Sequence, residues 1–145
     1  MGFSVSGSAA IVFVGMFIGF GILSGAVSDG HERVSDARDA RADAALETEN
    51  TAINVTSAEY LGTTDRLTVL VENTGATAIE VNTTDFLIEN RYVTDWQASA
   101  TVADTNDTRL WLPGEQLNIT VRTSDVPARV TVVTGTGVAR TEEVN

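Results

Sequence analysis

The chain holds 145 residues, with twenty acids, nine arginines and no lysine, for a net charge of −11. That length has room for one domain of ordinary size and little more, and the charge argues against a nucleic-acid partner, which requires a basic surface to meet phosphate. Cysteine is absent, so disulfides, thiolate chemistry and thiolate-bound metals are excluded as well.

The first predicted element is apolar. Residues 1–28 carry no charged side chain, and AAIVFVGMFIGFGILSGAV (9–27) runs to the edge of Asp29-Gly30-His31-Glu32-Arg33. About 20 helical residues cross a hydrocarbon core of about 30 Å, so this stretch is long enough to span a membrane. A secretory signal has a basic n-region and an h-region of about 7–15 residues. Here no Lys or Arg precedes the run, and we expect an uncleaved anchor rather than a signal peptide. Gly15 with Gly19 and Gly21 with Gly25 repeat the small-xxx-small spacing that lets membrane helices approach closely, which marks them as candidate helix-packing positions. Met1-Gly2-Phe3-Ser4-Val5-Ser6 fits a myristoylation pattern, but one acyl chain adds little to a chain that already spans the bilayer.

Residues 29–50 change character, with seven acids, three arginines and no proline. Val34, Ala37, Ala40, Ala44 and Leu46 fall along one side and Glu32, Asp36, Asp39 and Asp43 along another. The pattern predicts that the helix continues outward as a charged spacer, either bare or contacting a partner through its alanine stripe.

From Thr51 the period becomes two. Ile53–Val55, Leu67–Val71, Ile79–Val81, Phe86–Ile88, Tyr92 to Trp96, Leu110–Leu112, Leu117–Val121 and Val130–Val132 are short runs rich in Val, Ile and Thr. Turn signals separate them, among them Gly62, Asn73-Thr74-Gly75, Glu89-Asn90-Arg91 and Pro113-Gly114. About seven strands at this spacing predict an immunoglobulin-like antiparallel β-sandwich. VENTGATAIEV reads as a turn between two paired strands. The expected organisation is therefore a transmembrane helix at 1–28, a charged helical spacer at 29–50 and an extracytoplasmic β-sandwich at 51–145.

Motifs for chemistry are lacking. The single histidine, His31, stands at the membrane boundary, and one histidine without cysteine does not make a usual zinc site. No serine lies in G-x-S-x-G and no glycine-rich loop matches a phosphate cradle. Asp104-Thr105-Asn106-Asp107 offers oxygen ligands but lacks the glycine and distal glutamate of a calcium loop, so we read it as a polar turn. We expect no enzyme activity, cofactor or metal. Four sequons, at Asn54, Asn82, Asn106 and Asn118, are candidate N-glycosylation acceptors; all lie in the β region and favour a domain outside the cell. A lysine-free, acid-rich surface is that of a protein kept soluble in high salt, where long-range repulsion is screened.

MGFSVSGSAAIVFVGMFIGFG, NTAINVTSAEY, VENTG, LWLPGEQLNITV and VVTGTGVA, in that order, resemble the haloarchaeal archaellum accessory protein F family (FlaF, ArlF). The opening and LWLPGE are the most specific parts. The resemblance implies a static component of the archaeal motility motor, with one membrane helix and a β-sandwich between the membrane and the S-layer. It further implies a stator that binds the S-layer glycoprotein, works with the companion stator protein G and forms a homodimer through the β domain. Edge strands are the natural place for such self-association, because their unpaired backbone groups recruit another strand. The competing expectation is a pilin- or archaellin-like filament subunit. Such subunits carry a basic leader and a glutamate shortly after their processing site; this sequence shows no basic residue before the apolar run and no acid before Asp29.

Overall fold

A computed structural model of the chain describes residues 3–105 and 107–145. The uncharged run and the acidic stretch behind it lie in a single α-helix, α1 (Phe3–Asn50). Nothing in its sequence stops it: it holds no proline, and its glycines are tolerated singly at about 1 kcal/mol each. By its contacts the chain divides into two units, one reaching Asp43 and the other Ala44–Asn145, so the last helical residues group with the β domain.

The last helical turns carry side-chain back-bonds, and the final carbonyls find partners in the loop beyond. The Thr48 and Thr51 hydroxyls donate back to the Ala44 and Glu47 carbonyls at 2.9 and 2.7 Å. The Asn50 carbonyl accepts from the Ala76 and Thr77 amides, and the Ala52 carbonyl from those of Thr74 and Gly75, at 2.8–3.2 Å. Gly75 is required by this contact, because a Cβ there would lie 2.5 Å from both the Ala52 nitrogen and the Asn50 oxygen. Asn73, fully buried, holds the loop: its amide donates to the Thr77 and Trp111 carbonyls and its Oδ1 accepts from the Gly75 amide.

Ten strands follow the helix: β1 (Ile53–Leu61), β2 (Arg66–Asn73), β3 (Ile79–Glu80), β4 (Asp85–Ile88), β5 (Arg91–Tyr92), β6 (Thr101–Val102), β7 (Leu110–Trp111), β8 (Gln116–Arg122), β9 (Arg129–Val133) and β10 (Ala139–Glu143). They form two four-stranded sheets, ordered β1-β2-β8-β6 and β10-β9-β4-β5, and a small β3-β7 pair, with every ladder antiparallel. The expected architecture, a long N-terminal helix followed by an antiparallel β-sandwich, is the one observed. One core joins the layers. Leu67, Val69, Val71, Leu117 and Ile119 come from the first sheet, Phe86, Val130 and Val132 from the second, and Trp96 and Trp111 from the connections and the small pair.

The details depart from expectation in several places, among them β6, which no predicted run covered, and Val81, which lies in a 3₁₀ turn rather than on β3. β1 extends well past Val55, and a bulge between Val55 and Ser57 shifts its parity, so Ile53, Val55 and then Ala58 turn inward. The turn at Asn73-Thr74-Gly75 does not join paired strands, since β2 pairs with β1 and β8 while β3 pairs with β7. Trp96 is not on a strand; it enters the core from a 3₁₀ turn, Trp96–Ser99. β10 was not expected at all, because all five of its residues are exposed and it has no apolar alternation to betray it. Two of the turn signals show their backbone reason plainly. Glu89 and Asn90 both take positive φ between β4 and β5, as the right-handed strand twist demands of a two-residue hairpin. Pro113-Gly114, with Gly114 at φ +81°, is closed by a 3.0 Å bond from the Glu115 amide to the Leu112 carbonyl. The Trp111 indole N–H donates to the Glu115 carbonyl at 2.7 Å, which joins the residues of LWLPGE into one unit.

Candidate membrane anchor and surface sites

In α1 the large apolar side chains face out. Ile11 is 75% exposed, Phe17 70% and Phe20 72%, and Ile11, Val12, Phe13 and Val14 follow one another around the helix. A helix apolar on all sides is solvated by lipid or by other helices rather than by water. By length and composition Gly7–Asn50 contains a segment able to cross a membrane, none of it buried within the chain.

Gly15 and Gly19 lie on one side of the helix and Gly21 and Gly25 on another, about 120° apart at 3.6 residues per turn. Phe13, Phe17 and Gly21 follow one another at i, i+4 spacing and so share a side, with the two rings 5.8 Å apart. A Cβ at any of these glycines would meet nothing within 4 Å among the described residues. His31 is exposed on the same helix.

The sequons are scattered. Asn54 stands on the exposed side of β1, and the hydroxyl of its Thr56 donates to the Leu70 carbonyl at 3.2 Å. Asn82 is exposed in the 3₁₀ turn Val81–Thr83, while its Thr84 is buried with the hydroxyl on the Glu80 carbonyl. Asn118 is half-buried within β8, between β2 and β6, and accepts from its own Thr120 hydroxyl at 3.4 Å. Asn106 lies outside the described residues. Beside it, Ala103 and Asp104 turn at positive φ and Thr105 caps the Asp107 amide, which is the geometry of a polar turn.

Among the described residues no group of three or more His, Cys, Asp or Glu could hold a metal. A hollow of about 590 Å³ lies beside Glu47, Thr51, Glu80 and Thr134; it offers carboxylates and hydroxyls but no base paired to a nucleophile. The Tyr60 phenol is displaced in titration. Partial burial, then the hydrogen bond to Asp65 and the charges of Asp65 and Asp125, push its phenol up. The hydroxyl lies 3.1 Å from Asp65 Oδ1 and 3.2 Å from the Thr123 carbonyl.

One grouping escaped the sequence reading. Arg66 and Arg122 stand directly opposite each other on β2 and β8. In a chain with no lysine, two arginines at strand ends were a visible signal; that they meet depends on register.

A family model described as archaeal-type flagellin matches residues 2–144. No curated protein matches the chain. Among solved structures, the archaellum periplasmic stator protein FlaG from Sulfolobus acidocaldarius is 18% identical, over 63% of this chain and 97% of that one, with a TM-score of 0.44. A chain of the FlaF–FlaG stator complex from the same organism is 15% identical, over 62% and 85%, with a TM-score of 0.42. A chain in the complex of human cytomegalovirus US2 with the MHC class I molecule HLA-A2/tax is 12% identical, over 64% and 95%, with a TM-score of 0.38.

Proposed function

We propose a function from one premise: the chain belongs to the archaeal-type flagellin family. Within it the protein acts as a static, non-enzymatic part of the archaellum motor. Its N-terminal helix stays in the cell membrane as an uncleaved single-pass anchor, and its β domain lies outside, holding the S-layer glycoprotein together with the companion stator protein G. The observation that carries this reading is the uncharged helix, apolar on every side, followed without a break by a strongly acidic one. An apolar cylinder about as long as a bilayer is thick is stable in lipid, and the acids that begin at Asp29 place a water boundary there. LWLPGEQLNITV and the opening residues, which resemble the accessory protein F family, support the stator role over other anchored roles.

A second reading has an observation of its own. The family match runs through the helix and the head alike, as for a filament subunit whose apolar helix packs against copies of itself. The two differ in what surrounds residues 9–27, lipid or identical helices. Crosslinking the intact protein in its host, with the N-terminal peptide identified by mass spectrometry, separates them. An intact N-terminus with the S-layer protein captured through residues 51–145 supports the stator. A shortened N-terminus with self-crosslinks along the helix makes the protein a filament subunit and removes the stator reading.

A further inference from the structure

The six arginines of residues 51–145 are outnumbered by thirteen acids, yet three of the six line two adjoining hollows at one end of the β domain. The first, about 370 Å³, is lined by Arg66, Arg122, Trp96, Ser99 and Thr120, with Asp95 its one carboxylate. The second, about 460 Å³, shares Val93, Thr94 and Arg122 with it and adds Arg91, Tyr92 and Val126, with Glu89 and Asp125 as its acids. Glu89 is already engaged, since its Oε1 accepts from the Ala128 and Arg129 amides at 2.7 and 3.0 Å.

Like charges directly opposite on neighbouring strands destabilise a sheet. Arg66 and Arg122 are such a pair, and among the described residues neither guanidinium has an ion pair or hydrogen bond to offset the repulsion. The buried indole N–H of Trp96, in the same lining, is also without a partner. Two arginines on facing strand positions of one hollow bring guanidiniums of five N–H donors each, a group that matches the oxygens of carboxylates in bidentate geometry. Next to them Tyr92 is 55% and Val126 76% exposed, and Arg, Tyr and apolar contacts together are the composition of interface hot spots. The place fits as well. β2 runs from Arg66 to Asn73, whose loop packs on Asn50 and Ala52, so the arginine pair lies about 23 Å along the strand from the point where the helix meets the domain.

We propose that this end of the β domain docks an acidic polypeptide segment of a partner protein, with carboxylates on Arg66 and Arg122 and an apolar side chain against Tyr92 and Val126. The inference rests on reading the β domain as the part that holds a fixed partner, and charge complementarity selects the partner's chemistry. Short bidentate contacts persist at salt concentrations that screen longer-range fields.

The absence of lysine makes a direct test available. R66K and R122K, each in the full chain in its host, keep the charge and place at the site an amine that forms an amide with a carbodiimide-activated carboxyl; R129K and R140K place one elsewhere on the domain. The expected result is amide crosslinks from positions 66 and 122 to Asp or Glu of another protein, at least tenfold above those from positions 129 and 140. Equal yields at all four positions, crosslinks to this chain's own Asp95 alone, or crosslinks to a second copy of this chain would each overturn it. Silence at 66 and 122, with the S-layer protein captured through another surface of residues 51–145, removes the docking site and leaves the stator reading standing. A processed N-terminus with no outside partner removes both.

Discussion

The apolar helix and the β domain use the same side chains in opposite ways. Ile11, Phe13 and Phe20 are 65–75% exposed, whereas Ile119, Phe86 and Trp111 are fully buried. In the helix, apolar residues are consecutive and point to every side; in the strands they alternate with Thr, Glu and Asn and point one way. Hydrophobicity alone therefore does not say what a residue packs against. Its period does, because an apolar stripe implies a partner surface within the chain and an apolar cylinder implies a solvent that is itself apolar.

Removing a core side chain should expose this contrast most strongly. Trp111→Ala takes away a fully buried ring and its bond to Glu115, and should cost the β domain about 3–5 kcal/mol. Denaturant unfolding of the full chain in detergent, followed by near-ultraviolet circular dichroism, reads the loss. Membrane retention should not change; release of the chain from the membrane would show that the head, not the helix, holds it there.

Phe17→Asp attacks the other side of the comparison. An acid near the centre of a spanning helix costs about 2.5–3.5 kcal/mol on insertion scales, so the variant should shift toward the soluble fraction in alkaline extraction of membranes. The β domain's unfolding midpoint should stay where it is. A fall in that midpoint would contradict the independence of the two regions.

Gly75→Ala probes the joint between the last helical turn and the sheet. The new Cβ would collide with the Ala52 nitrogen and the Asn50 oxygen, and the forced shift should cost about 1–3 kcal/mol. Thermal unfolding measures it, and a neutral outcome would mean that the loop moves freely against the helix end.

The smallest effect is a pH dependence confined to the head. Because the folded state holds the Tyr60 phenol above its ordinary value near 10, the folded chain binds that proton more tightly than the unfolded chain does. The stabilisation is complete below about pH 10 and is lost as pH rises through the folded-state value. Tyr60→Phe should flatten the decline in unfolding midpoint above pH 10. An identical decline in both proteins would remove Tyr60 as its source.

How much could be read in advance follows the range of the interactions. The turns at Glu89-Asn90 and Pro113-Gly114 were legible because a two-residue hairpin and a proline–glycine turn are chosen by residues next to each other. VENTG was half-legible: its turn residues stand where expected, but Asn73 and Gly75 serve the helix end rather than a hairpin. β10 was invisible, since Ala139–Glu143 has neither an apolar face nor β-branched enrichment and is a strand only because β9 pairs with it. The arginine pair was missed for a related reason, because residues 66 and 122 become neighbours only through register.

By itself the sequence determined the helix, its all-round apolarity and the change of period at Thr51. Each of these depends on residues within a few positions of one another, where local geometry and side-chain polarity decide. Tertiary structure alone decided which strands pair, which turns join them and which charges meet. Those choices bring together residues as distant as Leu67 and Val121, and only burial of a shared core selects among the pairings that local preference leaves equal.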